Sequence, residues 1–177
     1  MKDVSLVAPH ENLREAFEDF QAEFPDRALE TITGIGSMGF SSFSEAVVLC
    51  GAHKKGEALQ EGLVPASTYW LMKKGRMLGS INLRHELNDF LRNVGGHVGY
   101  SIRPSERGKG YGYCMLRLLF EEARNLNLKK LLITCNAENA ASRALIEKAG
   151  GVFEVEKRVD YPGEGECLFR LYWIELQ

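Results

Sequence analysis

The chain reads as an α/β (α+β) fold, a mixed sheet flanked by helices, and three observations predict it. A hairpin pattern occupies residues 68–83. A strand, a glycine-rich basic turn, a helix and a wholly apolar strand follow one another from 97 to 134, and two strand-like runs close the chain between 152 and 176. With 177 residues, 45% of them apolar, there is material for one sizeable core and too little for two ordinary ones, so residues 1–177 are expected to form a single domain.

Residues 3–7 alternate as a short first strand. From 11 to 24, Leu13, Ala16, Phe17, Phe20 and Phe24 recur at helical spacing with acids between them, which predicts an amphipathic helix ending before Pro25. Residues 31–39 hold three glycines and read as a loop, 42–49 as a helix, and 59–64 as a short separate segment. The hairpin is then 68–72, a turn at 73–76, and 77–83. A polar connection over 84–93 leads through Gly95 and Gly96 into a third strand, which Pro104 ends because it has no N–H for a ladder. The helix predicted over 111–126 places Met115, Leu118, Leu119, Ala123 and Leu126 on one face. The apolar run 130–134 suits a strand buried on both sides, and strand, helix, strand in this order predicts a right-handed parallel unit. A helix over 139–149 stops at Gly150 and Gly151, and strands at 152–159 and 167–176 finish the chain.

Charge and cysteine usage exclude several functions. A net charge of -2, from 22 basic and 24 acidic residues, provides no general field for nucleic acid, so the cations between 103 and 109 read as a local anion site. The four cysteines are far apart, with no C-x-x-C pair and no histidine at ligand spacing, so neither zinc nor any other metal is expected and a reducing cytoplasm fits best. No apolar run approaches the ~20 residues that span a bilayer, and no membrane partner is expected.

The stretch with most chemical content is Gly99-Tyr-Ser-Ile-Arg-Pro-Ser-Glu-Arg-Gly-Lys-Gly-Tyr-Gly112. Gly108, Gly110 and Gly112 permit a tight turn and close approach of backbone to ligand, Arg107 and Lys109 add positive charge, and a helix starting at Tyr111 would aim its unpaired N–H groups at the same anion. The dinucleotide fingerprint G-x-G-x-x-G fails here, because Tyr113 and Met115 stand where the third glycine is required. The triphosphate loop G-x-x-x-x-G-K-[ST] fails as well, on Arg103 and Gly110.

Arg107-Gly-Lys-Gly110-Tyr-Gly112 instead has the form [RQ]-x-x-G-x-[GA] and resembles the coenzyme A turn of the GNAT superfamily of acyl-CoA-dependent N-acetyltransferases. The likeness covers roughly 67–176 and is strongest over 97–153. It implies a mostly antiparallel central sheet splayed between two parallel strands, one ending near Arg103 and the other near Cys135, with acetyl-CoA in the gap. The implied pyrophosphate site is Arg107, Gly108, Lys109, Gly110, Tyr111 and Gly112, with main-chain bonds from Ile102 and Arg103 to the pantetheine arm. The implied partners are acetyl-CoA as co-substrate and a small-molecule or peptide amine as acceptor. The last strands of this fold often pair between subunits, which makes a homodimer a further expectation.

Acetyl transfer also needs a polarised carbonyl, an uncharged amine and a proton for the leaving thiolate. Backbone N–H groups over 98–102 can polarise the carbonyl without leaving a mark in sequence. Many relatives carry a general-acid tyrosine where this chain has Ile146, and that absence favours the alternative of a non-catalytic acyl-CoA-binding or sensing domain. In the pattern Asn139-x-x-Ser142, which the ribosomal-protein and polyamine branches share, both residues lie beside the coenzyme, and Ser142 is the candidate donor to the thiolate. The same pair also reads simply as a helix cap and a first-turn serine, and for Asn139 the two roles coexist. His97, early on the strand bordering the cleft, and His85, in the polar connection, are the candidate bases, each acting through a water. Cys135 is a remote candidate for a covalent nucleophile.

Overall fold

The computed structural model describes residues 3–24, 42–161 and 163–176. Its strands form two antiparallel sheets. One has the order β1 (Ser5–Val7), β2 (Ala66–Lys73), β3 (Arg76–Arg84), β4 (Val98–Ile102), and the other the order β5 (Lys130–Asn136), β7 (Gly165–Glu175), β6 (Val152–Tyr161). The helices are α1 (Arg14–Ala22, preceded by a 3-10 turn at Glu11–Leu13), α2 (Phe43–Lys54), α3 (Asp89–Asn93), α4 (Tyr111–Asn125) and α5 (Ala140–Lys148).

These elements sit close to their sequence expectations. Three boundaries differ for visible reasons. The second helix extends to Lys54, with the Ser42 hydroxyl accepting from Glu45 N–H at its start. The polar connection contains α3, because the Asn88 carboxamide caps Leu91 N–H. Residues 59–64 form turn and irregular backbone rather than an element. The glycine loop expected at 31–39 lies outside the described residues.

Two apolar layers cover the first sheet. On one face α4 buries Met115, Leu116, Leu119, Phe120 and Ala123 against Tyr69, Leu71, Ile81 and Leu83. Each large side chain of this kind contributes roughly 1.5–3 kcal/mol on burial. On the other face Phe17 and Phe20 of α1 and Phe43, Ala46 and Cys50 of α2 pack around Trp70, with the Phe17 ring stacked on it at 5.3 Å.

The feature that makes a site is the relation of β4 to β5. The strand–helix–strand order is as expected, but the two strands belong to different sheets. They meet at one end, where His97 N–H donates to Leu132 O (2.7 Å) and Leu132 N–H donates to His97 Nδ1 (2.9 Å). Gly95 N–H adds a bond to Thr134 Oγ1 at 2.9 Å, and the Arg84 guanidinium binds the carbonyls of Gly95 and Gly96. Gly96 has φ of +57°, and a Cβ there would collide with Leu132 O, so this close approach requires glycine. Towards Ile102 no ladder joins the strands.

Candidate active site

The opening between β4 and β5 continues into a cleft of about 620 Å³. Tyr100 and Ile102 of β4 form one wall, Asn139, Ser142 and Leu145 of α5 another, and Arg107, Gly108, Gly110 and Gly112 the rim. Local sequence explains each part. β4 bonds to β3 through alternate residues, as Arg84 N–H to His97 O and Arg103 N–H to Leu78 O show, so the main-chain groups of Tyr100 and Ile102 face the opening. Gly108 and Gly110 adopt φ of +74° and +83°, a conformation a branched residue resists. Gly112 lets α4 approach α5, since a Cβ there would lie 3.1 Å from Leu145 Cδ2.

No side chain caps α4 at Gly110, which leaves its first-turn N–H groups directed at the rim. With the helix dipole and Arg107 these groups make the rim electropositive. Arg107 is steered by its own bonds: its Nε donates to Ile102 O at 3.2 Å, and its guanidinium lies over the Phe24 ring. On α5, Asn139 Oδ1 accepts from Ser142 N–H at 2.9 Å, so Asn139 is the cap, while both residues line the cleft. Tyr100 and Ser142 both line the cleft, and their hydroxyls are 2.7 Å apart.

A model of the acetyltransferase (GNAT) domain matches residues 54–152, more than half of the chain. The chain belongs to the GNAT acetyltransferase family. Among solved GNAT structures it resembles yncA, a putative acetyltransferase from Salmonella typhimurium with its cofactor acetyl-CoA, at 14% identity and a TM-score of 0.67 over 99% of this chain and 95% of that one. It also resembles the Salmonella typhimurium acetyl transferase that modifies the N-terminal serine of a 50S ribosomal subunit protein (18% identity, TM-score 0.69, 100% and 97% covered). A third is a spermidine N-acetyltransferase SpeG chimera from Vibrio cholerae and hSSAT (18%, 0.67, 99% and 96%). These likenesses establish the shared fold. No curated protein matches the sequence.

Within this GNAT domain the expected site residues separate into two groups. Ile102, Arg107, Gly108, Gly110, Tyr111, Gly112, Asn139 and Ser142 converge on the cleft. The Tyr111 hydroxyl accepts from Lys73 Nζ at 2.8 Å. Lys109 is held at the rim's outer side by Glu106 at 3.1 Å. Arg103 has both main-chain groups engaged, its N–H with Leu78 O and its carbonyl with Glu106 N–H, so neither is left for a pantetheine arm. Its side chain is fully buried and donates to Met77 O, Glu23 and Asp19 at 2.7, 2.7 and 2.8 Å. Glu23 also accepts from Ser105 N–H. Against the upward push of burial, the bonds from Ser105 and Arg103 hold the Glu23 carboxyl at about 2.

The two histidines lie elsewhere. His97 and His85 line a separate shallow depression beside Trp173, at the closed end of β4. His97 is 6% exposed, its Nδ1 lone pair is taken by Leu132 N–H, and burial together with the nearby Arg84 and Arg92 charges lowers it to about 4. It serves as a main-chain substitute joining the two sheets. His85 Nε2 is 2.9 Å from Ser67 Oγ, and burial, with Lys54 close by, lowers its pKa as well.

Ile146 is fully buried in the main core one helical turn beyond Ser142, and of these two positions Ser142 is the one that lines the cleft. The Cys135 thiol is pushed up by burial, which removes the thiolate a covalent nucleophile needs. Tyr100 is the residue sequence reasoning missed. The signal was present: it stands two places before Ile102 on a strand and therefore shares its face.

Proposed function

We propose that this GNAT domain transfers an acetyl group from acetyl-CoA to a primary amine of a small molecule or a protein N-terminus, by direct attack in a ternary complex, and that residues 1–177 act as one domain. The observation that carries the reading is the continuity of the cleft. An uncapped helix terminus with two left-handed glycines lies at the rim, gap-facing main-chain groups of β4 lie along the wall, and the paired Tyr100 and Ser142 hydroxyls belong to residues lining the same cleft.

In this reading the α4 terminus, Gly108 to Gly112 and Arg107 hold the pyrophosphate. The N–H groups of Tyr100 and Ile102 bind the pantetheine arm and polarise the thioester carbonyl. The amine nitrogen attacks the carbonyl carbon, the C–N bond forms, the C–S bond breaks, and the electron pair leaves on sulfur. Ser142 donates a hydrogen bond to that sulfur. With His97 and His85 outside the cleft, the amine sheds its proton to water rather than to an enzyme base.

The related structures act on a protein N-terminal serine in one case and are named for spermidine in another, which brackets the acceptor classes to be tried. All four cysteines are free thiols, in keeping with a cytoplasmic setting. The test is an acceptor screen with acetyl-CoA, reading free thiol, over polyamines, amino acids, antibiotics and peptides with free N-termini. Turnover on one class is expected. Tight coenzyme binding with no turnover on any class would favour a non-catalytic acyl-CoA sensor.

A further inference from the structure

We infer that Tyr100 is a positioning residue for the leaving-group step, orienting the Ser142 hydroxyl so that its proton points at the coenzyme sulfur. The inference rests on the acetyl-transfer reading above. Its basis is the 2.7 Å contact between the two hydroxyls, whose residues both line the cleft.

A lone serine hydroxyl rotates freely and divides its donor capacity among whatever acceptors are near. Here its surroundings limit that freedom. Ser142 N–H is held by Asn139 Oδ1, which fixes the first turn of α5 and the position of the serine Cβ. The phenol comes from a different element, β4, and is half-buried. Burial pushes it up to about 12, so near neutrality it is protonated and has a proton to give. When Tyr100 O–H donates to Ser142 Oγ, the serine proton is released for a third partner, and a chain of two hydroxyls is a stronger donor than either alone. Cys135, the third group around Ser142, is likewise kept protonated by burial and forms a weaker hydrogen bond with the serine.

The charged groups around this cluster have partners of their own. Arg143 donates to Ala137 O, Arg170 pairs with Glu156, Glu147 accepts from the Tyr172 hydroxyl, and Lys148 lies over the Tyr113 ring. Stabilisation of a departing thiolate at this point therefore falls to the hydroxyl pair. Neither hydroxyl gives up its proton. The thiolate accepts the serine hydrogen bond and later takes a proton from solvent, so the proton lost by the amine and the proton gained by sulfur balance through water.

The experiment reads the sulfur directly. The thiol of CoA bound to the protein is titrated by its ultraviolet thiolate absorbance, as a difference against the complex with dethio-CoA, which cancels the protein's own thiols and phenols. In the wild type the bound thiol is expected to titrate about one pH unit below a free thiol near 8.5. Tyr100→Phe and Ser142→Ala should each erase most of that shift, and the double variant should add little to either. In turnover, Tyr100→Phe should lower kcat about 5–10-fold with the KM for acetyl-CoA within about twofold. A bound thiol that titrates alike in wild type and Tyr100→Phe overturns the inference, and so does a shift removed by Ser142→Ala alone. A wild-type protein that binds no CoA in calorimetry overturns the acetyl-CoA reading itself, a separate result.

Discussion

The two ends of the gap between β4 and β5 are built from similar materials for opposite purposes. At the closed end a histidine ring, a glycine of positive φ and an arginine satisfy the backbone groups of both strands, and the sheets join. At the open end the backbone groups of Tyr100 and Ile102 meet no ladder partner, and a cleft begins. Polar groups matched inside the protein serve stability, whereas those left to face a cavity are what a ligand can use. Damage to the closed end should therefore appear in folding, and damage to the open end in binding or rate.

The sharpest way to break this contrast is Gly96→Val. A branched side chain at φ of +57° and against Leu132 O should cost about 3 kcal/mol or more, seen as a large drop in the urea midpoint. Next is the pH dependence of stability. His97 is neutral in the fold with a pKa of about 4, against 6.5 when unfolded, so the unfolded chain binds more protons between these values. The stabilisation is fully present above pH 6.5 and is lost as pH falls from there toward 4, by up to about 3 kcal/mol. Urea melts at several pH values should show this slope in the wild type and a flatter one in His97→Gln. The same titration predicts no histidine limb near neutrality in the pH–rate profile.

At the open end the effects are smaller and of another kind. Gly110→Val strains the glycine-rich turn by about 1–2 kcal/mol and, on the proposed reading, should weaken acetyl-CoA binding about tenfold in calorimetry. If Ser142 donates to the leaving sulfur as proposed, Ser142→Ala should lower kcat about tenfold, equivalent to about 1.4 kcal/mol, with a normal urea midpoint. Smallest of all is His85→Ala, which loses the bond to Ser67 and should change stability by less than about 1 kcal/mol and turnover by less than about twofold. A rate collapse there would sink the separation of the two ends.

What was legible in the sequence follows the same line. The glycine-rich turn before α4 and the Asn139–Ser142 cap are local, with every participant within a few residues, so spacing alone exposes their geometry. His97 was unreadable because its partner Leu132 is 35 residues away and the contact replaces a backbone bond, which composition does not mark. Arg103 was misplaced for a related reason. Its main chain was expected on the pantetheine arm and its charge in the anion site, and only the fold brings Asp19 of α1 and Glu23, the C-cap of α1, to its side chain from 84 and 80 residues earlier. Tyr100 was within reach through strand alternation from Ile102, but a tyrosine in a half-buried strand also reads as packing.

The buried Arg103 has a consequence for anyone who would re-engineer this protein. Its guanidinium fastens the end of α1 to the start of the glycine-rich turn, and a buried cation stripped of its carboxylates costs roughly 3–5 kcal/mol. The N-terminal helix is thus not an exchangeable module. A graft that imports another enzyme's helix to change the acceptor must carry acids at positions 19 and 23, or replace Arg103 with an apolar residue in the same step.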